Sequence, residues 1–161
     1  AESESTCANC GTGSYSAAGA SECATCNAGK SSSALAATAV TTCALCPRGT
    51  FSLAGSAQCE DCLAGTYSST LGATESSTCQ LCQAGKSFAG EGATQVADCV
   101  SCEAGSFSLA GSSSCTGCDA GKSSSTTGAT SSSVCSSCGG GTFSEVSLDK
   151  DKKHVYEPKL N

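Results

Sequence analysis

The sequence contains no isoleucine, methionine or tryptophan. Leucine, valine and phenylalanine together make roughly an eighth of the 161 residues, below the roughly one-fifth needed to bury an ordinary core. The hydrophobic share of 39% is mostly alanine and cysteine. An ordinary globular domain is therefore excluded, although the length would suit one. Basic residues are also few, and the net charge is −6. Within the cysteine-rich region they come singly, as Lys30, Arg48, Lys86 and Lys122. A nucleic-acid surface needs clustered Lys and Arg, so that class is excluded as well. No apolar run approaches the roughly 18 residues of a membrane span. The one histidine, His154, sits in a charged tail and reads as a solvated side chain rather than a base or ligand. Asp149 and Asp151 lack an EF-hand pattern, and no P-loop Lys-Ser/Thr follows the glycine run at 139–141. No catalytic residue, metal site or cofactor is expected, and the chain does not read as an enzyme.

What is present is cysteine, 16 residues in eight C-x-x-C pairs. The pairs are Cys7/Cys10, Cys23/Cys26, Cys43/Cys46, Cys59/Cys62, Cys79/Cys82, Cys99/Cys102, Cys115/Cys118 and Cys135/Cys138, starting 16 or 20 residues apart. Three residues after each pair stands a glycine: Gly13, Gly29, Gly49, Gly65, Gly85, Gly105, Gly121 and Gly141. Such regularity indicates a turn that requires φ > 0. Two flavours follow. One reads G-[ST]-[FY]-S and carries Tyr15, Phe51, Tyr67, Phe107 or Phe143; the other reads G-K-S with Lys30, Lys86 or Lys122. The aromatic reads as the small apolar anchor of its unit. Three of the four long spacers carry Gly-Ala-Thr seven residues before the next cysteine, and the fourth carries Ala36-Ala37-Thr38. With Gly, Ser and Thr this frequent no helical period survives. The expected fold is small and disulfide-rich: an elongated tandem-repeat rod of short β-hairpins and loops with little or no helix. The domain plan is an extension over 1–6, eight repeats over 7–143 and a charged tail over 144–161. The chain opens AESESTC, without an initiator methionine or signal-peptide pattern, and reads as a processed chain or a segment of a longer one.

C-x-x-C can bind zinc, run redox chemistry or staple a chain. The spacers of 12 or 16 residues suit a Cys₄ zinc site, but they lack the hydrophobic residues of most zinc ribbons. A redox pair needs a helix N-terminus to lower its first pKa, and nothing here supplies one. Disulfides remain the leading reading; they stabilise chains too poor in apolar residues for a core and imply an oxidising compartment. Two regular pairings are open. In the first, the second cysteine of each pair joins the first of the next: Cys10–Cys23, Cys26–Cys43, Cys46–Cys59, Cys62–Cys79, Cys82–Cys99, Cys102–Cys115 and Cys118–Cys135. That leaves Cys7 and Cys138, which could link successive copies head to tail. In the second, pairs cross two by two, as Cys7–Cys23 with Cys10–Cys26, so odd and even repeats differ. The aromatic and lysine flavours follow no odd/even phase, which favours the first.

The motif C-x-x-C-x-x-G-[ST]-[FY]-S, best seen in CPRGTFSLAGSAQCEDC (Cys46 to Cys62), resembles the cysteine-rich repeats of the ephrin-receptor-like and tumour-necrosis-factor-receptor-like class. Proline usually follows the second cysteine in animal members, and here only Pro47 does. The Ala/Ser/Thr/Gly-rich spacers instead resemble tandem repeats in surface and filament proteins of protists and algae, including mastigoneme-like components. The resemblance implies extracellular, disulfide-bonded rods and no activity.

Three further expectations concern partners. Runs at Ser31, Ser32, Ser33, Ser68, Ser69, Thr70, Ser123, Ser124, Ser125, Thr126 and Thr127 are either soluble loop fillers or O-glycosylation sites; no N-x-[ST] sequon exists. The tail is either a solvated linker or an arm docking through Val146, Leu148, Val155, Tyr156 and Leu160. Self-association into a filament or layer is the leading functional reading, with a receptor or adhesin stalk as the alternative.

Overall fold

The computed structural model describes residues 7–144. The N-terminal extension and the arm residues Val146, Leu148, Val155, Tyr156 and Leu160 lie outside them.

Seven disulfides form, joining the second cysteine of each pair to the first of the next: Cys10–Cys23, Cys26–Cys43, Cys46–Cys59, Cys62–Cys79, Cys82–Cys99, Cys102–Cys115 and Cys118–Cys135. We number the loops they close as units 1 to 7. Units 1, 3 and 6 are short, with a cysteine separation of 13; units 2, 4, 5 and 7 are long, with a separation of 17. The Cα–Cα distances of 5.6–5.7 Å lie within the usual range for a bridge. Eight C-x-x-C pairs thus bound seven closed units, and Cys138 opens an eighth that has no closing cysteine among the described residues.

Every unit is one two-stranded antiparallel hairpin. The strands are β1 (Ser14–Tyr15) with β2 (Ala24–Thr25), β3 (Lys30–Ser31) with β4 (Ala44–Leu45), and β5 (Thr50–Phe51) with β6 (Glu60–Asp61). They continue as β7 (Thr66–Tyr67) with β8 (Gln80–Leu81), β9 (Lys86–Ser87) with β10 (Val100–Ser101), β11 (Ser106–Phe107) with β12 (Thr116–Gly117), and β13 (Lys122–Ser123) with β14 (Ser136–Ser137). The second strand is always the two residues inside a C-x-x-C. The motif therefore closes one hairpin and opens the next. Its second cysteine donates its N–H to the carbonyl of the preceding turn glycine, as Cys62 does to Gly49 at 2.8 Å, in all seven units. The turn glycines all lie at φ between 71° and 84°, in the left-handed region that L side chains avoid.

The extra residues of the long units form short 3₁₀ turns at Val40–Thr42, Ser76–Thr78, Val96–Asp98 and Ser132–Val134. No α-helix occurs among the described residues.

The core is sulfur and alanine. The opening cysteines Cys26, Cys46, Cys62, Cys82 and Cys102 are fully buried, and Ala37, Ala73, Ala93 and Ala129 are buried beside them. Of the aromatics expected as anchors, Tyr15, Phe51, Tyr67 and Phe107 are only half-buried and Phe143 is exposed, because a unit of fewer than twenty residues cannot enclose a ring. Leucines such as Leu35, Leu53, Leu71 and Leu109 point outward at the loop tips.

Each spacer makes a second left-handed turn. Glycine takes it in six units, at Gly19, Gly55, Gly72, Gly92, Gly111 and Gly128; unit 2 forces Ala36 into it at φ 50°. Ala36→Gly should therefore stabilise unit 2. Relief of a left-handed alanine, about 1–2 kcal/mol, exceeds the flexibility penalty of glycine, about 0.5–1 kcal/mol. Amide exchange in unit 2 should slow by a few-fold in the variant; unchanged or faster exchange refutes the assignment of strain.

Candidate functional site

With the fourteen paired cysteines in disulfides, no thiolate remains on them for zinc or redox work. Chemistry at a pocket gives way to contacts between units. Where units meet is therefore the candidate functional site.

Three backbone contacts recur along the array. The turn-glycine N–H donates to the next unit: Gly13 to Ser32, Gly29 to Ser52, Gly49 to Ser68, Gly65 to Phe88 and Gly85 to Ser108, at 2.7–2.9 Å. The spacer turn donates back to the opening cysteine of the previous unit. Ala36 reaches Cys10, Gly55 reaches Cys26, Gly72 reaches Cys46, Gly92 reaches Cys62, Gly111 reaches Cys82 and Gly128 reaches Cys102, all at 2.7–2.8 Å. The third contact skips a unit. A Cβ added to Gly13, Gly29, Gly49, Gly65 or Gly85 would strike the carbonyl of Gly55, Gly72, Gly92, Gly111 or Gly128, respectively. Each of those carbonyls belongs to the unit two along, so the turn position needs glycine for close approach as well as for φ. Leu45 and Leu81 complete this contact by lying against Gly72 and Gly111.

Joints come in two kinds, set by the residue five after the opening cysteine. Where it is Tyr15, Phe51, Tyr67 or Phe107, the next unit is long, and the aromatic pairs in a parallel bridge with its buried alanine, Ala37, Ala73, Ala93 or Ala129. The ring has room beside the 3₁₀ turn; Phe51 lines one groove with Ser76 and Cys79, and Phe107 another with Ser132 and Cys135. Where it is Ser31 or Ser87, the next unit is short. The closing sulfur, Cys59 or Cys115, then sits 3.3 Å from the serine hydroxyl. A disulfide sulfur carries no proton, so the serine donates. All six internal joints obey this division.

Some of the sugar-site candidates are joint residues. Ser31, Ser32 and Ser68 are buried, and the hydroxyls of Ser32 and Ser68 accept the backbone N–H of Ala34 and Thr70. These three are packing positions: serine is small enough to bury and can satisfy its hydroxyl locally. Ser124 is half-buried, while Ser33, Ser69, Thr70, Ser123, Ser125, Thr126 and Thr127 are exposed. Asp98 fastens one long unit. The N–H of Thr94 donates to its carboxylate at 2.8 Å, and the backbone and side chain of Gln95 add further hydrogen bonds. The Thr94 N–H, ahead of a partial opposing push from desolvation, holds the Asp98 carboxyl below its usual value.

The ends differ from the middle. Cys7 is exposed and Cys138 half-buried, both unpaired. Among the described residues nothing lies within 4 Å of a Cβ built on Gly105, Gly121 or Gly141, the turn glycines of the last positions. The same holds for the spacer glycine of unit 1, Gly19. The unpaired Cys7 and Cys138 are those the first pairing left over, whereas the open glycines were not visible in the sequence, where all eight turn glycines look alike.

No helix of the described residues is long and apolar enough to cross a membrane. No curated protein gives a significant match to the chain. A family model described as tyrosine-protein kinase ephrin type A/B receptor-like matches twice, over residues 34–79 and 49–99. Repeats of that family are non-enzymatic in general, and with seven disulfides they suggest an extracellular or surface domain. Residues 34–99 match the ephrin-receptor-like family model, and the same staples and turns run through units 1, 6 and 7 in one tandem array of cysteine-rich repeats.

Proposed function

We propose that the array is an extracellular structural rod, a module that builds or decorates a cell-surface layer or filament by extending end to end. The observation that carries this reading is the state of the two ends. Cys7 with its following residues is the closing half of a unit, and Cys138 with its turn is the opening half of another. Among the described residues, the close approach that packs turn glycines against the unit two along is not made at Gly105, Gly121 or Gly141. An unpaired closing cysteine and an unpaired opening cysteine are suited to bond between chains.

Disulfide mapping of native material, with free thiols blocked before extraction, tests this. Cys7 and Cys138 should both appear in bonds to another polypeptide, and the intact material should show rods joined at their ends in electron micrographs. Free thiols at both positions in a monomeric protein would overturn the reading and favour a receptor or adhesin stalk.

A further inference from the structure

The open C-terminal end specifies what can dock on it. The half-unit that Cys138 opens already stands in array register. Its Cys138 N–H donates to the Gly121 carbonyl at 2.9 Å, as the corresponding cysteine does in every unit before it. Ser144 donates from its hydroxyl to the Lys122 carbonyl at 2.6 Å, repeating the bonds of Ser52 to Lys30 and Ser108 to Lys86. The Gly121 N–H reaches the Ser144 carbonyl. At the position that decides the kind of joint stands Phe143, 82% exposed, whereas its four aromatic counterparts are half-buried against the next unit.

An aromatic at that position meets a long unit in four joints out of four, and serine meets a short one in two out of two. The reason is steric. A short unit brings its closing sulfur to 3.3 Å from the serine oxygen, the space a ring would occupy. A long unit moves the spacer aside and offers an alanine instead. The first unit of this chain, Cys10–Cys23, is short. In a seamless head-to-tail joint Cys7 of a second copy would bond Cys138 and set that short unit against Phe143. Unit 1 does not fit the joint that Phe143 calls for.

Resting on the end-to-end reading above, we propose that the C-terminal end docks another, non-identical chain. That partner is a cysteine-rich array presenting C-x-x-C and then a long, 17-separation unit with a spacer alanine, rather than the short unit that follows Cys7 in a second copy of this chain. The first cysteine of the partner closes onto Cys138. Both start as thiols and a glutathione-type disulfide is the oxidant. The Cys138 thiolate attacks it and releases one glutathione thiol. The partner thiolate then displaces the second glutathione, leaving one protein disulfide and two reduced glutathiones.

The test uses full-length chains in a glutathione redox buffer. The acceptor carries Cys7→Ser and keeps Cys138. Two donors carry Cys138→Ser; one keeps the native unit 1, and in the other the spacer between Cys62 and Cys79 replaces that between Cys10 and Cys23. Peptide mapping quantifies the Cys138–Cys7 link. The long-unit donor should couple about tenfold more, the factor that removing an overpacked contact gives. Phe143→Ser in the acceptor should raise coupling to the native, short donor by a similar factor, a readout that does not depend on the grafted spacer. Equal coupling to both donors, unchanged by Phe143→Ser, sinks the selectivity and leaves end-to-end extension standing. No Cys138 link in any arm sinks both.

Discussion

Complete reduction of the seven disulfides should unfold the entire chain in native buffer, without denaturant. In the chain-entropy description each closure of 13 or 17 residues stabilises by about 3 kcal/mol, so the seven together contribute roughly 20 kcal/mol. That exceeds the roughly 5–15 kcal/mol by which ordinary domains are stable. Little else could hold the array. The largest fully buried side chains are five cysteines and the serines Ser52, Ser68 and Ser108. The strands are two residues long, and an isolated hairpin is at best marginal in water. The effect should be read by amide exchange and small-angle scattering before and after treatment with a phosphine reductant. Uniform loss of protection and an expanded chain are expected. Protection that persists in any unit after full reduction would show a source of order other than the staples.

The second large effect separates two glycines with the same backbone conformation. Gly49 and Gly121 lie at φ 81° and 77°, so alanine should cost each about 1–2 kcal/mol of backbone strain. At Gly49 the new methyl also runs into the backbone carbonyl of Gly92, two units along, which cannot swing away as a side chain would. Overpacking adds about 1–3 kcal/mol and should loosen units 3 and 5 together. At Gly121 no described atom stands in the way. Gly49→Ala should therefore speed amide exchange across units 3 to 5, and Gly121→Ala only around unit 7. Equal, local effects for the two variants would remove the skip-one contact from the account.

The staples and the first turn were legible in the sequence because each repeats in every unit. Eight glycines at one offset from eight cysteine pairs admit few explanations, and flavours without an odd/even phase pointed to equivalent staples. The joints were not legible, because their rule links the residue after one cysteine to the length of the following spacer. Tyr15 and Ala37 are 22 positions apart, and nothing local to either marks the pair. The serines misled for a different reason. Runs such as Ser31 to Ser33 look solvent-facing by composition, yet packing at the joint buries the first two and leaves the third exposed. The aromatics were expected as the small apolar anchors of their units. Here the buried apolar side chains are cysteines and alanines, and Tyr15, Phe51, Tyr67 and Phe107 bridge to the next unit.

The order of the staples also decides how the rod would bear tension. A pull applied along the chain enters a unit at its opening cysteine and crosses the disulfide directly to the closing one. It then passes to the next unit through the two residues of a C-x-x-C. The 12 or 16 residues inside each loop are bypassed and carry no load while the bonds are intact. Joints could part under force, but the rod would lengthen only by straightening seven short links, not by paying out its loops. Oxidised, the array is close to an inextensible cord; reduced, it becomes a slack chain of more than a hundred residues at about 3.3–3.6 Å each.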